Sequence, residues 1–118
     1  MAVKIISVAK QLPKYTRKTS EIIPFLKLWM HQQEERFQRK VIKLFEGAGV
    51  DKRYSIMDAE EVFANTSFED KNNIYAREVK KLAEESAKKS LEKANLKATD
   101  IDYIITVSCT GIMIPSVD

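Results

Sequence analysis

The sequence is poor in the residues on which several classes of protein depend. Its single cysteine, Cys109, cannot form a disulfide within the chain, which favours a reducing compartment. With only 3 glycines and 3 prolines, it has neither a collagen-like nor a disordered composition. No stretch approaches the roughly 20 apolar residues that span a bilayer. The first residues also lack the apolar run and cleavage site of a signal peptide. These absences predict a soluble, cytoplasmic protein without a membrane partner.

The charged residues are nearly balanced in sign. Lysine and arginine number 20 and the acidic residues 17, so the net charge is only +3. So small and evenly spread an excess does not predict binding to nucleic acid. The one histidine, His31, is expected at the surface near a helix end, and no metal site is predicted. The length of 118 residues fits one domain, 1–118.

Strand and helix signals follow one another in an α/β order. Apart from Lys4 and Ser7, Val3–Val8 is apolar and β-branched, which predicts a largely buried strand. Helices are predicted over Ser20–Met30, with Pro24 in the first turn or marking the start, and over Glu34–Glu46. The nearly continuous apolar run Ile101–Val107 predicts a central strand covered on both faces.

The strongest helix signal begins at Ser67. Ser67 and Asp70 form an S-x-x-D start that resembles a capping box. Apolar residues then recur at three- and four-residue spacings, which predicts a long core helix with one apolar stripe. The stripe consists of Tyr75, Val79, Leu82, Ala83, Ala87, Leu91 and Ala94.

The tail of the sequence follows the predicted central strand directly. Residues 108–111 (SCTG) stand at the carboxyl end of that strand, where open α/β sheets bind their ligands. The sequence runs only to Asp118, so no further strand follows to complete the sheet. We therefore expect a fragment of a larger fold.

Four blocks, in order, resemble bacterial type III polyketide synthases of the chalcone-synthase-like group. RFQRKVIKLF is similar to the helix that contacts coenzyme A (CoA) in that family, and GVDKRY to its glycine-to-Arg-Tyr turn. NNIYAREVKKLAEESAKKSLEKANLKATDID is similar to its long helix, and VSCTGIMIPSVD to the strand and loop before its nucleophile. The resemblance implies an α/β, thiolase-like fold, of which this chain supplies the N-terminal half.

The resemblance also implies an activity. Such enzymes are homodimeric acyltransferases that condense an acyl-CoA starter with malonyl-CoA through a Cys-His-Asn triad, with these thioesters as substrates and no separate cofactor. None of the triad is expected here, because the chain ends before the position of the nucleophilic cysteine. Cys109 is therefore not the predicted nucleophile, and the chain is expected to be inactive alone. Cys109 and Thr110 instead match pocket-lining positions, although a buried structural cysteine remains the alternative.

Substrate binding is implied for three cations. Arg36, Arg39 and Lys43 share one helix face by their spacing, with Phe37, Val41 and Leu44 on the other. By themselves these cations indicate a solvated helix face, and only the resemblance favours a binding role. The matching positions in the family contact CoA, and cationic side chains suit its phosphates.

Two other functions remain open from the sequence. A ketoacyl-carrier-protein synthase III shares the fold, and a non-catalytic module that binds CoA or a partner has the same composition. The RFQR block and the I-P-S-x-D tail favour the polyketide synthase.

Overall fold

The computed structural model describes residues 2–64 and 66–117, which form two compact units. We call Pro13–Thr66 the central unit. The terminal unit combines Met1–Leu12 with Ser67–Asp118. Met1, Asn65 and Asp118, which closes the I-P-S-x-D motif, lie outside the described residues.

The central unit contains a two-stranded antiparallel sheet and three helices. In the sheet, Tyr15 lies opposite Ser55 and Lys18 opposite Lys52. Helix α1 packs against α2, α3 and the first strand. The elements, in order, are β1 (Tyr15–Lys18), α1 (Thr19–Trp29), α2 (Glu35–Gly47), β2 (Lys52–Ser55) and α3 (Ala59–Val62).

The predicted first helix is confirmed, but the position expected for its proline is wrong. Pro24 is the sixth residue of α1 and not part of its first turn. A proline there removes one backbone N–H from the helix ladder. The helix continues because its C-terminal part is anchored by burial. Leu26 is 7% exposed and Met30, just after the last turn, is fully buried.

The core of the central unit is small. Leu26 and Met30 share it with Met57 and Ala59, which come from the segment after β2. An aromatic cluster extends it toward the surface, where the Phe63 ring stacks on Phe25 with 6.4 Å between centroids.

The terminal unit is built on one long helix, α4 (Phe68–Ala94). Its predicted start is confirmed, since the Ser67 Oγ accepts a 3.0 Å hydrogen bond from the backbone N–H of Asp70. The helix ends at Asn95, which adopts the left-handed conformation with φ of 54°. A short 3-10 turn, Ala98–Asp100, follows. The amino-terminal segment contacts α4, because the Ser7 hydroxyl donates to the Ser90 carbonyl at 2.8 Å.

The two strands predicted in this unit are wrong as secondary structure. Within the described part of the chain, residues 2–12 and 101–107 form no strand. Their apolar side chains are largely exposed, with Val3 at 95% and Ile105 at 89%. A strand requires backbone partners at its edges, and neither segment has a strand beside it among the described residues. Apolar, β-branched composition alone therefore did not suffice.

The apolar stripe of α4 is partly confirmed. Its members other than Ala87 are half-buried, but no described residue of α4 is fully buried. The helix therefore has the predicted amphipathic pattern without the complete cover of a core helix. No helix in the described residues is long and apolar enough to cross a membrane.

Candidate functional site

The three predicted binding cations lie on one face of α2. At 3.6 residues per turn, Arg36, Arg39 and Lys43 fall within about 60° around the helix axis. Lys40, which the sequence interpretation missed, lies on the other side of Arg36 and widens the arc to about 100°. Its spacing of four from Arg36 was the available signal. We call these four residues the α2 basic face.

The α2 basic face is open to solvent. All four side chains are exposed. Arg39 approaches Glu35 at 3.5 Å, with both side chains more than 70% exposed, a contact that contributes little to stability. Within residues 2–64 and 66–117, Arg36, Lys40 and Lys43 form no ion pair. Three of the four cations therefore carry positive charge that no ion pair among the described residues neutralises, whereas an anionic ligand would compete with Glu35 for Arg39.

The apolar side of α2 differs from the prediction. Val41 is half-buried as expected, but Phe37 is 48% and Leu44 66% exposed. The half-buried side is centred instead on Val41, Ile42 and Phe45. The reason is that α1 covers only one side of α2, so Phe37 and Leu44 form an uncovered apolar edge.

A shallow cavity of about 250 Å³ borders the α2 basic face. Arg39 and Lys43 line it from α2, and Lys27 adds a third cation from α1. Glu35 and Glu46 line it as well, so cations outnumber carboxylates by three to two. Lys27 was not predicted, because only tertiary packing brings α1 beside α2.

Arg53, in the predicted GVDKRY turn, attaches the end of α2 to β2. Its guanidinium carbon lies 3.9 Å from the centroid of the Phe45 ring, and its Nη2 donates to the Phe45 carbonyl at 3.4 Å. The cation–π contact and hydrogen bond hold the helix against the sheet. This arginine therefore has a structural role, because it fixes the position of α2 and of its basic face against β2.

A charged cluster joins β1 to α3 in the same unit. Arg17 Nε donates to Asp58 Oδ1 at 2.8 Å, and its Nη2 lies 3.1 Å from Glu60. The hydrogen bond from Arg17, followed by that from the Ala59 backbone, lowers the pKa of Asp58. The same hydrogen bond raises the pKa of Arg17. Asp58 thus stays ionised and caps α3.

The predicted pocket-lining residues belong to the terminal unit. Cys109 and Thr110 are both exposed, in a loop of residues 108–112. The structure thus differs from the alternative of a buried structural cysteine. The Tyr75 hydroxyl lies 2.7 Å from Ser108 Oγ, and Ser108 donates to the Thr110 carbonyl at 2.8 Å. His31 is exposed near the end of α1, as expected, and its Nδ1 lies 2.7 Å from the Leu28 carbonyl.

Comparison with known proteins agrees with the predicted resemblance. A 1,3,6,8-tetrahydroxynaphthalene synthase of Streptomyces coelicolor is 43% identical over 75 residues, covering 64% of this chain and 20% of the enzyme. The enzyme of the same name from Streptomyces griseus is 36% identical over 76 residues, again 64% of this chain and 20% of the enzyme. A phloroglucinol synthase of Pseudomonas fluorescens is 33% identical over 67 residues, 57% of this chain and 19% of the enzyme. No family model matches the chain.

A solved structure carries the comparison to the fold. The crystal structure of the S. coelicolor tetrahydroxynaphthalene synthase, described as a bacterial type III polyketide synthase, matches with a TM-score of 0.81 at 31% identity. The match covers 94% of this chain and 32% of that one. This chain is similar to the type III polyketide synthases. The thiolase-like α/β fold class is confirmed for the part that the chain spans. Since the chain spans about a fifth of the length of its curated relatives, their activity is not transferred by similarity alone.

Proposed function

We propose that this chain is part of an acyltransferase that condenses an acyl-CoA starter with malonyl-CoA. The supporting observation is the structural match to a type III polyketide synthase over 94% of the chain. The names of the relatives, tetrahydroxynaphthalene synthase and phloroglucinol synthase, are consistent with polyketide formation. The role proposed for this part of the enzyme is to bind the CoA portion of its substrates.

The α2 basic face is the proposed CoA site. CoA carries a 5′-diphosphate and a 3′-phosphate, and a cluster of cations compensates such charge better than one residue does. Arginine pairs with two phosphate oxygens at once, which suits Arg36 and Arg39, whereas Lys40 and Lys43 act as point charges. Because the side chains are exposed, each contact is worth about 1–2 kcal/mol at low salt, or about 5- to 30-fold in affinity.

A binding experiment tests this site on the chain itself. CoA is titrated into the wild-type chain and the Arg36→Ala and Arg39→Ala variants by calorimetry at low and high salt. Arg77→Ala is the matched control, since Arg77 is a 64% exposed arginine on α4. We expect both α2 variants to lose about 5- to 30-fold in affinity for CoA, with a smaller loss at high salt. If the wild-type chain binds pantetheine, which lacks the phosphates, as tightly as it binds CoA, the site does not recognise phosphate.

A chimera tests the condensation reaction. Residues 1–118 replace the matching segment of the S. coelicolor synthase, and release of CoA from malonyl-CoA is followed. We expect Arg39→Ala to raise the KM for CoA esters with little change in kcat, the pattern of lost uniform binding. An N-acetylcysteamine thioester, which has no phosphates, should be used equally well by both chimeras. If Arg39→Ala impairs the reaction of the CoA ester and of the N-acetylcysteamine thioester equally, Arg39 supports the fold and does not bind CoA.

The chain alone is proposed to have no condensing activity. The expectation is that incubation with acyl-CoA and malonyl-CoA releases no free thiol above background, while the chimera is active. Sustained turnover by the chain that Cys109→Ala abolishes would make Cys109 the nucleophile and overturn this proposal.

A further inference from the structure

The loop of residues 108–112 is fastened to α4 by side chains to which the family resemblance assigned no role. Asn72 makes two hydrogen bonds with a single backbone unit. Its Nδ2 donates to the Ile112 carbonyl at 2.8 Å, and its Oδ1 accepts from the Ile112 N–H at 2.7 Å. The carboxamide thus pairs with the loop as a neighbouring strand would. This pairing also fixes the orientation of the amide. In a flipped amide, the Asn72 NH2 group would face the Ile112 N–H and the Asn72 oxygen would face the Ile112 carbonyl.

Tyr75, one turn further along α4, holds the other end of the loop. The Ser108 hydroxyl has one hydrogen, which it donates to the Thr110 carbonyl. Tyr75 must therefore be the donor in its 2.7 Å hydrogen bond with Ser108 Oγ. The Thr110 N–H lies 3.4 Å from the same Ser108 oxygen, which closes a small turn around Cys109.

Position 111, between these two attachments, requires glycine for two reasons. Its φ is +73°, a conformation that side chains rarely adopt. A Cβ at this position would also overlap the Tyr75 ring. The ring therefore packs directly on the loop backbone, and the loop has little freedom to approach α4 differently. Two hydrogen-bonded ends and one close backbone contact specify one conformation.

We propose that Asn72 and Tyr75 are positioning residues that fix the 108–112 loop and so determine how Cys109 and Thr110 are presented. The purpose of this positioning rests on the proposed function, since the family resemblance matches these two exposed residues to pocket-lining positions. Its physical content is separate, because it concerns how α4 controls the loop. Substitutions on α4 that touch no substrate should then change the conformation of residues that do.

The test uses the chain without any CoA ester, so that it does not depend on the outcome of the binding experiment. Amide NMR spectra are recorded for Asn72→Leu and Tyr75→Phe. The matched controls are Asn73→Leu, an exposed asparagine beside Asn72, and Tyr103→Phe, a tyrosine that is 90% exposed. We expect the Gly111 and Ile112 signals to shift or broaden in the first two variants and to stay in place in the controls. Circular dichroism checks that α4 remains helical.

The second measurement distinguishes positioning from loss of packing. In Asn72→Asp, the ionised carboxylate still accepts from the Ile112 N–H but cannot donate to its carbonyl. Protonation at low pH restores the donor, so the Gly111 and Ile112 signals should return toward their wild-type positions as the pH falls through the titration of that carboxyl. The wild-type chain, which retains Glu69 and Asp70, serves as the reference titration.

A nitroxide on the unique cysteine gives an independent readout. We expect Asn72→Leu to narrow the spectrum of a label on Cys109 by raising its mobility, and Asn73→Leu to leave it unchanged. If the loop signals and the label respond no more to Asn72 and Tyr75 variants than to the controls, the proposal is wrong. Absence of pH-dependent recovery in Asn72→Asp would likewise reduce Asn72 to a packing role and overturn it.

Discussion

Replacing Met30, the residue that follows α1, by alanine should destabilise the central unit more than an exposed substitution on that helix does. Met30 is 0% exposed, and among the described residues it shares the buried core with Leu26, Met57 and Ala59. Truncating a fully buried methionine costs about 2–5 kcal/mol, because the transfer free energy is lost and a cavity remains. A unit of this size has a net stability of only about 3–8 kcal/mol. Met30→Ala therefore removes a large fraction of the stability, or all of it.

Leu28→Ala provides the matched control. Leu28 lies two residues away and is 71% exposed, and alanine is as good a helix former as leucine. Its expected cost is within about 0.5 kcal/mol. The two substitutions remove similar side-chain volumes, so the difference between their losses in unfolding free energy reports the effect of burial.

The assay is urea unfolding followed by tryptophan fluorescence. Trp29 is the only tryptophan, and it lies beside Phe63 in the central unit with 6.4 Å between ring centroids. With an m value of about 1 kcal/mol/M for a small unit, a loss of about 3 kcal/mol lowers the midpoint by about 3 M. A Met30→Ala midpoint equal to that of Leu28→Ala would refute the reasoning, because Met30 would then not be a core residue.

Three further outcomes follow from the structure. Ser67→Ala should reduce the stability of α4 by about 1 kcal/mol, since it removes the cap on the Asp70 N–H, and thermal circular dichroism measures this loss. The lowered pKa of Asp58 contributes stability that is present above the pKa of an unfolded aspartate and is lost as the pH falls through the folded value. Asp58→Asn keeps a capping oxygen but removes the negative charge that pairs with Arg17, so it should flatten this acid dependence in urea titrations. The exposed apolar residues 101–107 should drive self-association, so light scattering at high concentration should find dimers or larger species, whereas a monodisperse monomer would contradict this expectation.

The sequence predicted the three longer helices, α1, α2 and α4, but not the short α3. The α4 start at Ser67 and its amphipathic stripe follow from capping chemistry and a 3.6-residue period, which act within a few turns of the chain. The clustering of Arg36, Arg39 and Lys43 on α2 follows from the same period. The family resemblance was also evident in four ordered blocks, and the structural match confirms it.

Tertiary structure alone decided the features that depend on distant partners. The β1–β2 pairing joins residues 34 to 40 positions apart, from Lys18 with Lys52 to Tyr15 with Ser55. The short, polar β1 has no apolar alternation that would predict a strand. Conversely, residues 3–8 and 101–107 have strand composition but no strand beside them among the described residues. A strand is defined by its neighbours, whereas a helix is defined by its own hydrogen bonds. Likewise, Lys27 joins the basic cavity, and Asn72 meets Ile112, only through packing between segments remote in sequence. The sequence by itself determined the three longer helices and the placement of charge on them, whereas long-range packing determined which faces meet.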